Sequence, residues 1–287
     1  MTVAAVERGL RILEQLAGEP EPVELVELAR ILDIPPSAAH RTVSVLAERG
    51  WVVQEETTQK YALSLRMSTL AFRNLDVRAV SDAVQAILDN LARETCEYCR
   101  LAIVEGEDLV WVARAQGARS GLRYDPDMGQ EIVLHATANG KAWLSTLAEE
   151  EAIRIVKARG LRSRRPLGPN SATQIPEIRQ RIRDTARTGY GASIEEAEPG
   201  TAAVAVPFRA SQEPGAPVAG TISVAGPLLR VRPERFDELA AALKNAARQI
   251  ETIWPLRRRM RGERQFAAAA ADPELSSSKS DILTRSE

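Results

Sequence analysis

Pro22-Val23-Glu24-Leu25-Val26-Glu27-Leu28-Ala29-Arg30-Ile31-Leu32, followed by Asp33-Ile34-Pro35-Pro36 and then Ser37-Ala38-Ala39-His40-Arg41-Thr42-Val43-Ser44-Val45-Leu46, spells a helix, a tight turn and a second helix. Leu25, Leu28, Ala29 and Leu32 share one face of the first helix, and Ala39, Val43 and Leu46 share one face of the second. A turn this short makes the two helices cross steeply. Pro35 and Pro36 end the first helix, because the residue before a proline is pushed out of the helical region. Ser37 is expected to cap the second through its hydroxyl. Arg49-Gly50-Trp51-Val52-Val53 and Lys60-Tyr61-Ala62-Leu63 then predict a two-stranded wing. Gly50 suits the left-handed position after a helix, and Trp51 with Val53, then Tyr61 with Leu63, alternate as buried positions.

The second helix turns a polar face outward. Pro36, Ser37, His40, Arg41 and Ser44 form a stripe of donors and acceptors small enough to enter a DNA major groove. Lys60, on the wing, joins them as a candidate DNA contact. A helical hairpin on a β-ribbon with no partner is the weaker alternative, because the wing follows the second helix directly.

A length of 287 residues favours two domains, and a hydrophobic share of 44% supports a real core. The 38 basic and 39 acidic residues nearly cancel, so no overall basic surplus points to nucleic acid. Residues 1–66 carry seven Lys and Arg against ten acids, so any DNA contact has to come from locally placed groups. No apolar run approaches the length of a membrane span, and the N-terminus lacks a signal-peptide pattern. A cytoplasmic protein is expected, and having only two cysteines, Cys96 and Cys99, agrees with a reducing compartment.

Residues 2–17 predict a helix with Val6, Leu10, Leu13 and Ala17 inward, ended by Gly18. With the following helices and wing it makes a DNA-binding domain over 1–66. A helical pattern over about 65–75 predicts a connecting helix, and 67–80 is assigned as connecting helix and linker. Residues 81–254 form a second domain. It opens with an amphipathic helix over 81–94 and continues with strands over 100–105 and 109–115 around a Gly106-Glu107-Asp108 turn. Helices follow over 135–147, 149–159 and 175–188, then strands over 190–193, 203–209 and 218–224, and a closing helix over 233–254. Strands interleaved with helices give an α+β or α/β sensor-like domain. Beyond Pro255 the periodicity is lost, and 255–287 is expected to be a disordered, low-complexity tail.

Other chemistries are poorly supported. Cys96 and Cys99 supply two ligands where a structural zinc wants four, so no metal is expected. Gly140-Lys141 lacks the earlier glycine and the following Ser or Thr of a phosphate loop; His135 and Ala142 hold those places. No Gly-x-Ser-x-Gly elbow occurs, and His135 is the only histidine of the second domain, so no catalytic residue and no cofactor are assigned. Asp125 with Asp127, and Glu195 with Glu196, read as solvated loop charges.

The segments in this order resemble the IclR family of bacterial transcriptional regulators. Val6-Glu7-Arg8-Gly9-Leu10-Arg11-Ile12-Leu13 resembles the opening helix, Ile34-Pro35-Pro36-Ser37-Ala38-Ala39-His40-Arg41 the turn and recognition helix, and Tyr61-Ala62-Leu63-Ser64 the end of the wing. His135-Ala136-Thr137-Ala138-Asn139-Gly140-Lys141-Ala142 resembles the effector-domain signature helix. Thr188-Gly189-Tyr190 with Glu195-Glu196, and Ser223-Val224-Ala225-Gly226-Pro227, complete the set. The resemblance implies an α+β fold: a winged helix-turn-helix reading double-stranded operator DNA, a connecting helix, and a GAF-like α/β effector-binding domain. It also implies a homodimer or homotetramer. A small-molecule effector, an organic acid or aromatic compound, would sit between sheet and signature helix. The matching positions are Tyr124, Met128, Ile132, Ala138, Asn139, Ser193, Thr201, Ala203, Ser223 and Ala225. Two rival functions stay open: a redox-sensing regulator acting through Cys96 and Cys99, and a small-molecule enzyme with a tethered DNA-binding module.

Overall fold

A computed structural model describes residues 4–77, 82–126, 128–163 and 165–270. The chain divides into two compact units, Met1–Val77 and Arg78–Glu287.

The first unit holds α1 (Ala4–Ala17), α2 (Leu25–Leu32), α3 (Pro36–Glu48), β1 (Val52–Gln54), β2 (Tyr61–Leu63) and α4 (Arg66–Val77). Ile12, Leu16, Leu28, Leu32, Val43, Val52 and Tyr61 make its core. Asp33 takes the left-handed conformation that turns the chain from α2 to α3, and Gly50 does the same after α3, with φ +72°. The antiparallel pair β1–β2 forms the wing, and a bridge from Val23 to Tyr61 ties it to the start of α2.

Three local expectations are corrected. α1 buries Ile12 and Leu16, whereas Val6 is 60% and Leu10 56% exposed; the helix is apolar along two stripes, and the packing of α2 and α3 selects the other one. Ser37 makes no capping bond, because α3 starts at Pro36, with Pro35 as its N-cap. A proline in the first turn has no N–H to be capped. In the wing it is Val52 that is buried, while Val53 is 49% exposed, so β1 sits one residue out of the expected phase.

The second unit opens with α5 (Asp82–Thr95) and the hairpin β3 (Tyr98–Glu105) and β4 (Asp108–Gln116). Next come α6 (Ala138–Leu144), α7 (Glu149–Arg159) and α8 (Ile175–Thr188), then β5 (Gly191–Ile194), β6 (Thr201–Arg209) and β7 (Val218–Pro227). A 3-10 turn over Pro233–Arg235 leads into α9 (Phe236–Ala270). The five strands form one sheet in the order β4-β3-β7-β6-β5, with every pair antiparallel. That is an α+β, GAF-like arrangement.

Alternation decides what each face of the sheet does. Cys99, Leu101, Val204, Val206, Phe208, Ile222 and Val224 pack against α5 and α9. Their neighbours point the other way, toward α6, α7 and α8, where Ala102, Trp143, Leu144, Ile153, Val156, Ile178 and Ile182 form a second core. A bulge opposite Leu101 and Ala102 leaves Val112 without a partner. It re-phases β4, so Leu109 and Trp111 join the second core and Ala113 and Ala115 the first.

Two further expectations change here. The signature helix is shorter than 135–147: Thr137 caps it by accepting the Gly140 N–H at 3.1 Å, and Gly140 lies so close to Leu134 that a Cβ would stand 2.2 Å from its carbonyl oxygen. The closing helix does not stop at Pro255 but runs on to Ala270. The residues that read as low complexity there, arginines and alanines, are strong helix formers. The rest of the expected tail, 271–287, lies outside the described residues.

Glu196, read from sequence as a solvated loop charge, is 6% exposed. Its carboxylate takes the buried Lys141 ammonium and the Arg181 guanidinium, joining α6, α8 and the loop after β5. Burial lowers the Lys141 pKa, and the Glu196 charge opposes that shift. Removing one partner strands a buried cation. Glu196→Gln is therefore expected to cost about 3 kcal/mol in denaturant-induced unfolding, while breaking the exposed Glu27–Arg30 pair changes little. A Glu196→Gln protein with native stability would mean that the cluster contributes nothing net.

Candidate functional site

On α3, Pro36, Ser37, His40 and Arg41 are exposed and Ser44 is half-buried, so the expected polar stripe exists as one face. Ser44 is partly committed, since its hydroxyl donates to the His40 carbonyl at 2.9 Å. Lys60, on the wing, stands 3.7 Å from Glu24, a loose pair that a phosphate can displace. Arg30 is held by Glu27 at 2.6 Å, and Arg11 donates to the Leu32 carbonyl at 2.7 Å. Arg41 makes no ion pair among the described residues, which leaves it the free cation of the stripe. The arrangement fits a helix presenting short polar side chains and one guanidinium to a groove.

The second unit holds a cavity of about 890 Å³ between the sheet and α6. Tyr124, Ala138, Asn139, Ser193, Thr201, Ala203, Ser223 and Ala225 all line it. Met128 and Ile132, expected there, do not: Ile132 packs in the core with Leu134 and Trp143, and the Met128 sulfur accepts the Tyr98 hydroxyl at 3.9 Å. Several polar lining groups are already committed to the fold. Asn139 donates to the Thr221 hydroxyl at 3.0 Å. Ser193 donates to the Ala136 carbonyl at 2.9 Å, and Thr201 to the Glu198 carbonyl at 2.9 Å. They hold α6 and the Glu198 loop in place and so shape the wall.

Sequence reasoning missed Arg100 and Trp111, which line the same cavity from the sheet. Arg100 is 5% exposed, and its guanidinium carbon lies 5.1 Å from the Tyr98 ring centre and 4.5 Å from that of Trp111. The available signal was a charged residue near the start of β3, ahead of the apolar run Leu101–Val104. It also missed Glu198, whose carboxylate accepts from Gln130 at 2.8 Å. Burial pushes the nearby Tyr124 phenol well up, and the Glu198 charge adds to the shift, so the phenol stays protonated.

The remaining candidates are chemically quiet. Burial pushes the Cys99 thiol up to about 12. Reactive cysteines work as thiolates, which weighs against a redox switch through Cys96 and Cys99. Burial, with Lys141 and Arg181 nearby, holds the His135 pKa below its ordinary value and favours the neutral ring. Among the described residues no group of three His, Cys, Asp or Glu could hold a metal ion, and no helix is long and apolar enough to cross a membrane.

Comparison with known proteins gives these two features a context. Residues 5–56 match the IclR helix-turn-helix domain, and residues 70–252 match the family described as bacterial transcriptional regulator IclR C-terminal. The transcriptional repressor IclR of Escherichia coli is 27% identical over 252 residues, covering 86% of this chain and 89% of that protein. The crystal structure of an IclR transcriptional regulator from Silicibacter sp. TM1040 superposes with a TM-score of 0.68 at 26% identity, covering 85% of this chain and 93% of that one. An IclR homologue from Microbacterium hydrocarbonoxydans, solved as a complex with 4-hydroxybenzoate, has the same fold, with a TM-score of 0.67 at 22% identity over 87% of this chain and 98% of that one. The helix-turn-helix, the effector-domain fold and the family matches together cover nearly all of the described chain, which belongs to the IclR family of bacterial DNA-binding transcriptional regulators.

Proposed function

We propose that this regulator binds an inverted-repeat operator as a homodimer or homotetramer in the cytoplasm and is modulated by a small metabolite, an organic acid or aromatic compound, bound in the cavity beside α6. The DNA contacts are assigned to Pro36, Ser37, His40, Arg41, Ser44 and Lys60. The effector contacts are assigned to Tyr124, Ala138, Asn139, Ser193, Thr201, Ala203, Ser223 and Ala225. The observation that carries the effector half is the cavity itself, about 890 Å³ between sheet and signature helix, which is within the usual size of a small-molecule site. The solved homologue that holds 4-hydroxybenzoate supports an aromatic acid as one candidate class.

The test is an operator gel shift with the full-length protein and compounds first selected by thermal shift. A true effector should change operator affinity roughly 5–150-fold, the span of an ordinary coupling free energy. Compounds that bind tightly yet leave operator affinity unchanged would remove the regulatory half of the proposal.

One variant probes the DNA side. Arg41→Ala should weaken operator binding by about 1–3 kcal/mol and relax specificity if Arg41 reads a base; if it meets only phosphate, all sequences should weaken alike and the salt slope fall by about 1. Equal affinity of variant and wild type on operator and on random DNA would exclude Arg41 from the interface.

The dimer has its own check. On α4 and just before it, Leu65 is 82%, Met67 37% and Leu70 40% exposed, an apolar surface suited to a second chain. Leu70→Lys should lower self-association in sedimentation and operator affinity in the gel shift together, with effector affinity little changed. A variant that stays oligomeric and binds operator normally would move the interface elsewhere.

A further inference from the structure

We propose that Arg100 and Trp111 form a buried anion subsite in the cavity, and that the molecule bound there presents a carboxylate to them. This rests on the cavity being the effector site, and it adds which atoms select the ligand.

The subsite follows from what the fold leaves unmatched. Nε and Nη2 of Arg100 and Nε1 of Trp111 are buried without a hydrogen-bond partner. All three are donors, and both residues line the same cavity. No carboxylate lies within ion-pairing distance of Arg100 among the described residues. The chain matches a sheltered carboxylate where one is present: Glu97, 1% exposed, takes Arg230 Nε at 2.6 Å and Nη2 at 2.8 Å. A buried cation left without an acceptor is costly, and an anion entering the cavity relieves that cost.

The geometry narrows the anion. Two aromatic rings flank the guanidinium and leave its planar N–H edges as the donors. A carboxylate matches such an edge with two parallel hydrogen bonds. Ser223 is the cross-strand partner of Arg100 on β7, and its hydroxyl adds a donor on the same face. Among the described residues the other charged lining groups are Arg165, Glu131 and Glu198; Arg165 and Glu131 are exposed and Glu198 is half-buried. Among the described residues the cavity therefore offers one buried positive charge, which suits a singly charged carboxylate better than a phosphate dianion.

The test uses the full chain, with benzoate and propionate as probes beside their neutral amides, benzamide and propionamide. Binding is read by titration calorimetry and thermal shift at millimolar ligand. At least one acid should bind the wild type and outdo its amide, and Arg100→Gln should weaken that acid roughly tenfold or more, the loss of a charged hydrogen-bonded contact. Arg100→Lys, which keeps the charge but not the planar pair of donors, should retain part of the affinity. Arg100→Met should melt no lower than the wild type, because it removes an unmatched buried charge; this separates lost binding from lost folding. Acid and amide binding alike, Arg100→Gln binding the acid as the wild type does, or neither acid binding at all would each overturn the subsite. A neutral compound that binds Arg100→Gln and still alters operator affinity would overturn the subsite while leaving the proposed function standing.

Discussion

A sheet covered on both faces must be filled on both, and strict alternation lets the two faces be filled differently. Toward α5 and α9 the strands send Leu101, Val204, Val206, Phe208, Ile222 and Val224. On the other face the neighbours of those residues are mostly small: Ala102, Ser193, Ala203, Ala205, Ser223 and Ala225. At the β5 edge the small residues let α6 settle directly on the sheet. Gly191 lies so close to Ala138 that a Cβ would stand 2.3 Å from its carbonyl oxygen, and Ala138, Ala142 and Ala205 close the contact. Further along, beside Arg100 and Trp111, the space left is the cavity. The same residue sizes thus produce a tight junction at one end and room for a ligand at the other.

Polar groups on that face fall into two sets. Asn139 with Thr221, Ser193 with the Ala136 carbonyl, and Lys141 with Glu196 bind α6 to its surroundings. Each satisfies a buried group that would otherwise be expensive. They make the wall rigid, and a rigid wall does not have to be ordered when something binds. Arg100 and Trp111 belong to the other set, donors with no acceptor. Among the described residues, three of the five buried side-chain polar atoms without a partner belong to these two residues lining one cavity, the others being His135 Nε2 and Ser171 Oγ, so most of the unmet demand falls at that point. Rigid walls and unmet donors are complementary, since the first keeps the protein from collapsing onto the second.

Periodicity recovered the elements that a single face defines. α7 and α8 begin and end where their apolar spacing and flanking Gly160 and Gly189 put them, and the sheet strands were displaced by one to three residues. α1 was harder, because both its Val6–Leu10 and Ile12–Leu16 stripes are apolar and only the packing of α2 and α3 chooses between them. The wing strand β1 was too short, at three residues, for alternation to fix its phase. Most of the cavity lining followed from the family pattern, but Ile132 was drawn into the neighbouring core, which one sequence cannot foresee. Arg100 and Glu196 were missed for a common reason: composition marks a charge as exposed, and only the tertiary structure shows a charge enclosed by rings or by opposite charges.

The first unit poses the converse problem, a DNA-binding head with little positive charge. Residues 1–66 carry seven cations against ten acids; of the cations, Arg30 is paired to Glu27 and Lys60 loosely to Glu24. Non-specific affinity for DNA comes almost wholly from phosphate neutralisation and counterion release. A head with so few free cations forgoes much of that affinity on every sequence alike. What survives is contact that depends on base identity and on the fit of α3 in the groove, so a low basic charge raises the ratio of specific to non-specific binding even as it lowers both. Under the proposed function the affinity lost is recovered by joining two heads on one operator, where the second binds at the effective concentration set by the first. The exposed apolar surface of α4 and the scarcity of arginine on α3 are thus two sides of one arrangement, in which pairing of chains supplies affinity and the guanidinium of Arg41 is reserved for discrimination.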